Sequence, residues 1–236
     1  MRLDNYLVEN NFARSRNKAQ EFIKQGLVFV NDKEMLKSSY HVLAEDKVSM
    51  ESHKNYLSRA AYKLSHFLDE LSLDVSGLRA LDVGASTGGF TQVLLEYGAQ
   101  SVSAVDVGKA QLHPSLKEDT RVKSFESCDI RYFKSEEAFE LVVSDVSFIS
   151  LHHILEDVDR LSCAHIILLF KPQFEVGKEA KRDKNGVVLD QRAIERAMVH
   201  FEDACTLKGW RQLRKSASKI TGKEGNLEYC YYFKKD

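Results

Sequence analysis

Residues 81–90 read LDVGASTGGF, an apolar segment that runs into a glycine-rich turn. A second apolar segment, SVSAVDV at 101–107, carries Asp106 near its end. A turn of this kind after a first strand brings backbone N–H groups close to a ligand, and the next helix adds its positive N-terminal end. An acid about 20 residues further on can hold two ribose hydroxyls. The two segments therefore predict a nucleoside-binding α/β unit.

The glycine-rich turn is compatible with several kinds of site. Ser86 stands where a dinucleotide fingerprint has its middle glycine, which lets a pyrophosphate approach the backbone, and this disfavours NAD. Residues 84–88 also match the short G-x-S-x-G pattern of a hydrolase nucleophile elbow. S-adenosylmethionine fits better, because it has no pyrophosphate and its small carboxylate and ammonium can sit on a compact turn. A turn without a ligand is the remaining alternative, and it is disfavoured by three glycines and two hydroxyl residues in 84–89.

Composition limits the classes of protein to consider. The chain has 236 residues, enough for one substantial core and a small additional module. No apolar run approaches the roughly 20 residues of a membrane span, and the polar N-terminus lacks a signal-peptide core. The four cysteines are scattered without a C-x-x-C pair, so we expect a reducing cytoplasm and neither zinc nor a disulfide framework.

Charge is balanced over the whole chain but not locally. The net charge is −1, which gives no general indication of a nucleic-acid partner. Residues 14–24 and 208–223 are two strongly basic segments. Basic segments beside a nucleoside site raise the expectation of an RNA or DNA partner, although a solvated surface is the ordinary explanation of such runs.

The first 50 residues read as a separate small unit. A short helix is predicted over 2–10, and Ser15 is placed to cap a second helix that runs through Gln25. Short strands are predicted at 27–31 and 47–50. Two helices and a few short strands are too small for an enzyme but adequate for a binding module. We expect a linker at 51–57 and a second domain at 58–236.

The second domain alternates helix and strand. A helix capped by Ser58 comes first, and the pattern then predicts strands at 79–83, 101–107, 121–126, 139–144 and 165–170, with helices near 88–97, 150–161 and 190–208. This alternation predicts a parallel sheet with helices on both faces. The last two segments, 210–218 and 226–233, predict a hairpin that inserts an antiparallel strand.

Four polar residues are expected near the ligand edge of this sheet. Asp145 and Lys171 each end an apolar strand, Glu228 lies in the last hairpin strand, and Lys63 lies in the helix before the first strand. Ligands of open α/β sheets sit outside the carboxyl ends of the strands. Any one of these charges alone would be an ordinary surface charge or structural ion pair, but the set indicates a site.

Six segments, taken together and in order, resemble one family: SRAAYKL (58–64), LDVGASTGGFT (81–91), VDVGKAQL (105–112), SDVSFISL (144–151), FKPQFEVGKE (170–179) and GNLEY (225–229). They are similar to the TlyA family of FtsJ-like ribose 2′-O-methyltransferases. The N-terminal segments RLDNYL, ARSRNKAQEFI and GLVFVN resemble the RNA-binding domain of small-subunit ribosomal protein number four. The resemblance implies a Rossmann-like, seven-stranded, S-adenosylmethionine-dependent methyltransferase sheet preceded by a small α+β RNA-binding domain.

The resemblance also implies roles for individual residues. The catalytic tetrad would be Lys63, Asp145, Lys171 and Glu228. The S-adenosylmethionine site would comprise Asp82, Gly84, Ala85, Ser86, Thr87, Gly88, Gly89, Phe90, Asp106, Val107, Asp129 and Asp145, with Asp106 on the ribose and Asp129 near the adenine. The RNA-binding residues would be Arg2, Arg14, Ser15, Arg16, Lys18 and Arg59.

The expected reaction is transfer of a methyl group to a ribose 2′-hydroxyl, with cytidine of ribosomal RNA as the family's substrate. That hydroxyl is a poor nucleophile until its proton is removed, so the site needs in-line positioning and a base. A neutral lysine amine can be that base, and no metal is needed. Two alternatives stay open: an RNA- or ribosome-binding factor with an idle methyltransferase domain, and a membrane-active hemolysin, a name that the family also carries.

Overall fold

The computed structural model describes residues 1–13, 15–24, 26–50 and 56–235. The chain divides into two units. The first comprises Met1–Asn55 with Lys219–Thr221, and the second comprises Tyr56–Ser218 with Gly222–Asp236. Arg14, Gln25 and the linker residues 51–55, all named in the sequence predictions, lie outside the described residues.

The first unit packs two helices and a three-stranded antiparallel sheet. Its elements are α1 (Leu3–Glu9), α2 (Arg16–Lys24), β1 (Val28–Val30), β2 (Lys33–Glu34) and β3 (Val48–Met50), with the strands in the order β2-β1-β3. Ser15 precedes α2, and its hydroxyl accepts a hydrogen bond from the Lys18 amide at 3.3 Å, as an N-cap does. Asn31 and Asp32 both have positive φ, 52° and 61°, and connect β1 to β2 as a two-residue hairpin turn.

The second unit is built on one seven-stranded sheet. Its strands are β4 (Arg79–Val83), β5 (Ser101–Val105), β6 (Val122–Phe125), β7 (Phe139–Ser144), β8 (Ser162–Phe170), β9 (Trp210–Ala217) and β10 (Tyr229–Lys235). Their order is β6-β5-β4-β7-β8-β10-β9. The pairs among β4 to β8 are parallel, and β10 runs antiparallel to both β8 and β9. The predicted α/β class, the seven-stranded sheet and its inserted antiparallel strand are confirmed.

Helices cover both faces of this sheet. They are α3 (Arg59–Asp69), α4 (Gly89–Glu96), α5 (Pro114–Lys117), α6 (Leu155–Leu161), α7 (Pro172–Glu175) and α8 (Gln191–Leu207), with a 3-10 turn at Leu151–His153. Strand alternation sends Leu81 into the core cluster that also contains residues of α6 and α8, while Asp82 bonds Thr91 of α4 on the other face. Within the cluster, the Phe201 ring of α8 lies 5.1 Å from that of Tyr231.

Several element boundaries differ from the sequence predictions. β5 ends at Val105, so Asp106 is the first residue beyond it, and β10 begins at Tyr229, so Glu228 precedes that strand and does not lie in it. The predicted helix over 150–161 is a 3-10 turn followed by α6, broken at Ile154 with φ −121°. α5 and α7 were not predicted, because a four-residue helix is too short to show a helical period.

Ser58 does not cap α3 through its side chain. It occupies the N-cap position, but its buried hydroxyl has no hydrogen-bond partner in the described part of the chain. The predicted capping bond at this helix is therefore wrong.

Candidate active site

A cavity of about 440 Å³ opens where β4, β5 and β7 end. This volume is typical of a small-molecule site. Its lining combines apolar and acidic side chains: Val83, Gly84, Ser86, Val105, Asp106, Val107, Gly108, Gln111, Cys128, Asp129, Ile130, Asp145, Val146, Ser147, Phe148, Ile149 and Ile154. A smaller cleft of about 160 Å³ adjoins the same turn and is lined by Ser58, Ala60, Gly84, Ala85, Ser86, Thr87, Gly89, Phe90, Asp145 and Ser147.

The glycine-rich turn has the backbone that a close ligand approach requires. Gly84 has φ +81°, and a Cβ there would stand 3.1 Å from Val146 Cγ1. Ser86 also has positive φ, at 48°, so two of the three residues 84–86 have a left-handed backbone conformation. Gly88 has φ +93°, and a Cβ there would meet Leu116 Cδ1 at 2.2 Å. Gly88 therefore serves the packing of α5 and, unlike its neighbours, lines neither cavity nor cleft.

Asp106 ties two loops together at the rim of the cavity. Its Oδ2 accepts from the Ser86 amide at 2.8 Å, and its Oδ1 accepts from the Gly108 amide at 2.6 Å. The sequence pointed only to a ribose contact. A carboxylate has about four lone-pair positions, so these two bonds leave capacity for a diol.

Asp82 is buried beneath the turn and does not line the cavity. Its Oδ2 accepts from Thr91 Oγ1 at 2.7 Å, and its buried Oδ1 has no hydrogen-bond partner in the described residues. Burial, together with the negative charges of Asp145 and Asp106, raises the pKa of Asp82 to about 7. The resemblance includes Asp82 in the cofactor set; its side chain lies beneath the cavity lining, because alternation along β4 turns it toward Thr91 of α4.

This raised pKa makes stability depend on pH. The unfolded chain releases the Asp82 proton near pH 4, whereas the folded chain keeps it to about pH 7. The contribution of Asp82 to stability is therefore complete below pH 4 and is lost as the pH rises through 7. We expect Asp82→Asn to raise the thermal midpoint relative to wild type by several degrees at pH 8 and by less at pH 5. Unfolding curves at both pH values test this, and an equal difference at both would contradict it.

Asp129 lines the cavity but is already engaged. Its Oδ2 lies 2.5 Å from Arg131 Nη2, and hydrogen bonding to that guanidinium lowers the pKa of the carboxyl. Cys128 and Ile130 flank it in the lining, so this side of the cavity offers apolar surface beside one carboxylate. Val107 lies at the rim with 71% of its surface exposed.

The four proposed catalytic side chains form two buried ion pairs. Lys63 Nζ donates to Glu228 Oε2 at 2.6 Å. Lys171 Nζ lies 2.5 Å from Asp145 Oδ1. Both lysines are 7% exposed and Glu228 is 2% exposed, so the charges are screened little by water.

Charges of both ion pairs influence the buried thiol of Cys230. Burial raises the pKa of this thiol, Lys63 opposes the shift, and Asp145 and Glu228 add to it.

Three residues beside the two ion pairs were not predicted from the sequence. Ser147 Oγ accepts from Lys171 Nζ at 2.8 Å, and Gln173 Nε2 donates to Glu228 Oε1 at 2.9 Å. Phe148 is 92% exposed, has φ 65° and lines the cavity. Positive φ in an aromatic residue is an uncommon strain that concentrates at functional sites, but only the structure reveals it.

In the first unit, a buried carboxylate organises two of the proposed RNA-binding residues. Asp4 is fully buried and accepts from Arg2 Nε at 3.0 Å, Arg16 Nε at 2.9 Å and Gln20 Nε2 at 2.8 Å. Hydrogen bonding to Arg2, then to Gln20 and Arg16, holds the pKa of Asp4 well below its usual range. The two arginine side chains keep 40% and 53% of their surface exposed. Their exposed surface is accordingly available to a phosphate.

The remaining residues of that set have separate positions. Lys18 Nζ pairs with Glu21 at 2.9 Å, and Arg59 begins α3 in the second unit. In the basic segment 208–223, Lys208 pairs with Glu156, and Lys215 pairs with Glu202 at 2.8 Å. Part of that segment is therefore neutralised by helix carboxylates.

Within the described ranges, no group of three or more His, Cys, Asp or Glu residues could hold a metal ion. The helices found there include none long and apolar enough to cross a membrane.

Comparison with known proteins agrees with this architecture. Residues 56–235 match the FtsJ-like methyltransferase family, and residues 1–48 match the S4 domain. The chain is 45% identical, over its full length and that of the relative, to the 23S rRNA (cytidine-2′-O)-methyltransferase TlyA of Campylobacter jejuni. It is 38% identical to the 16S/23S rRNA (cytidine-2′-O)-methyltransferase TlyA of Mycobacterium tuberculosis, with 99% of this chain and 89% of that protein covered.

A solved structure from Streptococcus thermophilus, which carries a hemolysin name, superimposes with a TM-score of 0.74. It is 32% identical, and the match covers 100% of this chain and 88% of that one. On the family match and these identities, the chain belongs to the TlyA family of FtsJ-like methyltransferases and carries an S4 domain.

Proposed function

We propose that the protein transfers a methyl group from S-adenosylmethionine to the ribose 2′-hydroxyl of a cytidine in ribosomal RNA. The observation that carries this proposal is the pair of buried lysine–carboxylate contacts, Lys63–Glu228 and Lys171–Asp145, beside a cavity at the carboxyl edge of the sheet. The Campylobacter and Mycobacterium relatives are named as rRNA (cytidine-2′-O)-methyltransferases, which supports this substrate. A ribosomal substrate also implies action in the cytoplasm.

The charge of the cavity supports this cofactor over a dinucleotide. Asp106, Asp129 and Asp145 line it, and the lining found in the described part of the chain includes no lysine or arginine. Arg131 and Lys171 offset the charges of Asp129 and Asp145, so the carboxylate of Asp106, which accepts from two backbone amides, is the group that opposes the two negative charges of a pyrophosphate. S-adenosylmethionine, when bound, supplies a methyl group on a positively charged sulfur that keeps the bonding electron pair as the methyl leaves. Asp106 would hold its ribose, and the turn at Gly84 would receive its amino-acid end.

In this proposal Lys171 is the proton acceptor. After Lys171 has released one proton to solvent, its amine takes the proton of the ribose hydroxyl, and Asp145 stabilises the ammonium that forms again, from 2.5 Å. Lys63, held by Glu228, supplies a second positive charge near the developing alkoxide. Burial of Lys63, Glu228 and Lys171 keeps their charges strong by limiting the access of water.

Asp106→Ala should weaken cofactor binding by about tenfold to 100-fold. The change removes the expected ribose acceptor, and a hydrogen bond to a charged group contributes about 1.5–3 kcal/mol. It also frees the Ser86 and Gly108 amides that Asp106 now joins. Calorimetric titration with S-adenosylmethionine measures the effect, with Asp119→Ala as a control at a half-buried loop carboxylate that does not line the cavity. Unchanged affinity in the Asp106 variant would remove Asp106 from the site.

Arg16→Ala should weaken RNA binding without affecting cofactor affinity. Arg16 presents an exposed guanidinium held in place by buried Asp4. Losing one phosphate contact should lower the slope of log affinity against log salt by about 0.7–0.9. Binding of ribosomal RNA at several salt concentrations measures this, with Lys37→Ala as a control outside the proposed set. A slope equal to that of wild type would show that Arg16 makes no phosphate contact.

Transfer of labelled methyl groups to isolated ribosomal subunits tests the proposed function. We expect label in RNA from cells that lack the enzyme, recovered as 2′-O-methylcytidine after nuclease digestion. Subunit binding without any transfer would instead support an RNA-binding factor with an idle methyltransferase domain. Label on a base would contradict ribose as the acceptor.

A further inference from the structure

The loop that follows β7 places a hydroxyl against the proposed base. Lys171 Nζ has two polar contacts among the described residues, Asp145 Oδ1 at 2.5 Å and Ser147 Oγ at 2.8 Å. The Phe174 ring lies 6.0 Å from the same nitrogen on an apolar side. We propose that Ser147 is a positioning residue that orients the amine of Lys171 for methyl transfer.

The tetrahedral geometry of a lysine amine explains how the contact with Ser147 could orient the lone pair of Lys171. A neutral amine has two N–H bonds and one lone pair in a tetrahedral arrangement. Ser147 Oγ receives one N–H in a hydrogen bond, and Asp145 Oδ1 makes a close ion-pair contact without hydrogen-bond geometry, so the hydroxyl is the group that sets the direction of the lone pair. When the O–H bond of the substrate breaks, its proton forms the third N–H bond along that direction. With Asp145 alone, the amine could rotate about the single remaining contact and carry its lone pair out of line.

The position of Ser147 supports a role in the site itself. It lies two residues after Asp145 and lines both the main cavity and the adjoining cleft. The strained backbone of Phe148, with φ 65°, follows directly and fixes where the loop turns. Backbone strain of about 1–3 kcal/mol persists only where surrounding structure enforces it.

Ser147→Ala, Ser147→Thr and Ser150→Ala test this assignment in the full-length protein. The inference rests on the proposed function, so turnover alone is not a sufficient readout. Ser147→Ala should lower kcat about tenfold, within the roughly 100-fold that a misplacement of about 1 Å can cause. The KM for RNA and the affinity for S-adenosylmethionine should stay within about twofold. Ser147→Thr keeps the hydroxyl and should restore most of kcat. Ser150 lies in the same loop as Ser147, and its hydroxyl bonds Glu175. Ser150→Ala removes that hydroxyl and should leave kcat unchanged.

A second measurement needs neither RNA nor turnover. In protein labelled with 15N-lysine, the side-chain signal of Lys171, assigned with Lys171→Gln, should shift in Ser147→Ala and return in Ser147→Thr. The signal of Lys63 should stay in place. If neither this signal nor kcat responds to Ser147→Ala, the inference is wrong. If kcat falls equally in Ser147→Ala and Ser147→Thr, the loop acts by shape and the hydroxyl does not position the amine. If the signal responds while wild-type protein transfers no methyl group, the contact stands and the proposed function fails.

Discussion

Lys171→Ala should lower the rate of methyl transfer by about 10²–10⁴, the usual span for a general base. The reason is local: Lys171 is buried, contacts Asp145 and Ser147, and lies where the strand β8 ends. Lys171→Arg should be just as damaging, because a guanidinium does not lose a proton near neutral pH. Single-turnover kinetics with saturating cofactor measures the rate of the chemical step.

Two controls distinguish loss of the proton acceptor from a general disruption of the cofactor site. Calorimetry should show that both Lys171 variants still bind S-adenosylmethionine, and Lys178→Ala, at an exposed lysine on the same segment, should retain full activity. An active Lys171→Arg enzyme would contradict the assignment, because Lys171 would then only screen charge or position the substrate.

Glu228→Gln should destabilise the fold by about 3–5 kcal/mol, because it leaves the Lys63 ammonium buried without its countercharge. Lys63→Met should cost a similar amount, because among the described residues it leaves Glu228 with the neutral donor Gln173 at 2.9 Å and no countercharge. The double variant removes both charges, and such replacements are often neutral or even stabilising. We therefore expect the double variant to be more stable than either single variant.

Urea unfolding of wild type, both single variants and the double variant measures this cycle. The double variant should recover stability without recovering methyl transfer, since its second positive charge is gone. Additive losses of stability would show that Lys63 and Glu228 do not depend on each other. Full activity of the double variant would place this pair outside the reaction.

The fold was predictable because its signals are local and repeated. Apolar strands such as LVVS and IILLF alternate with helices, and the sheet order follows from packing those helices on both faces. Boundaries were less predictable. Glu228 precedes β10 because the chain first makes a turn at Gly225, with φ 102°, and anchors the Asn226 side chain to the Val188 amide at 2.9 Å. Those contacts join residues far apart in sequence, so no local pattern signals them.

The candidate site, like the fold, was predictable from the sequence only in part. Expected positions near the ligand edge of the sheet and motif resemblance both indicated Lys63, Asp145, Lys171 and Glu228, but not their pairing. The Lys63–Glu228 pair depends on where β10 enters the sheet, and the Lys171–Asp145 pair depends on the neighbouring ends of β8 and β7. Ser147 and Gln173 gave no signal, because a serine and a glutamine after strands are common. The resemblance put Asp82 in the cofactor set, and strand alternation turns its side chain inward to Thr91. Residue type and spacing therefore indicate a site, while side-chain direction depends on the packed sheet.

Mass mapping of 2′-O-methyl groups in ribosomal RNA tests the central claim most directly. RNA from cells without the protein is compared with RNA from the same cells carrying wild-type protein or Lys171→Ala. We expect at least one cytidine with a 2′-O-methyl group that is present with wild-type protein and absent in the other two samples. The same set of ribose marks in all three samples would contradict it.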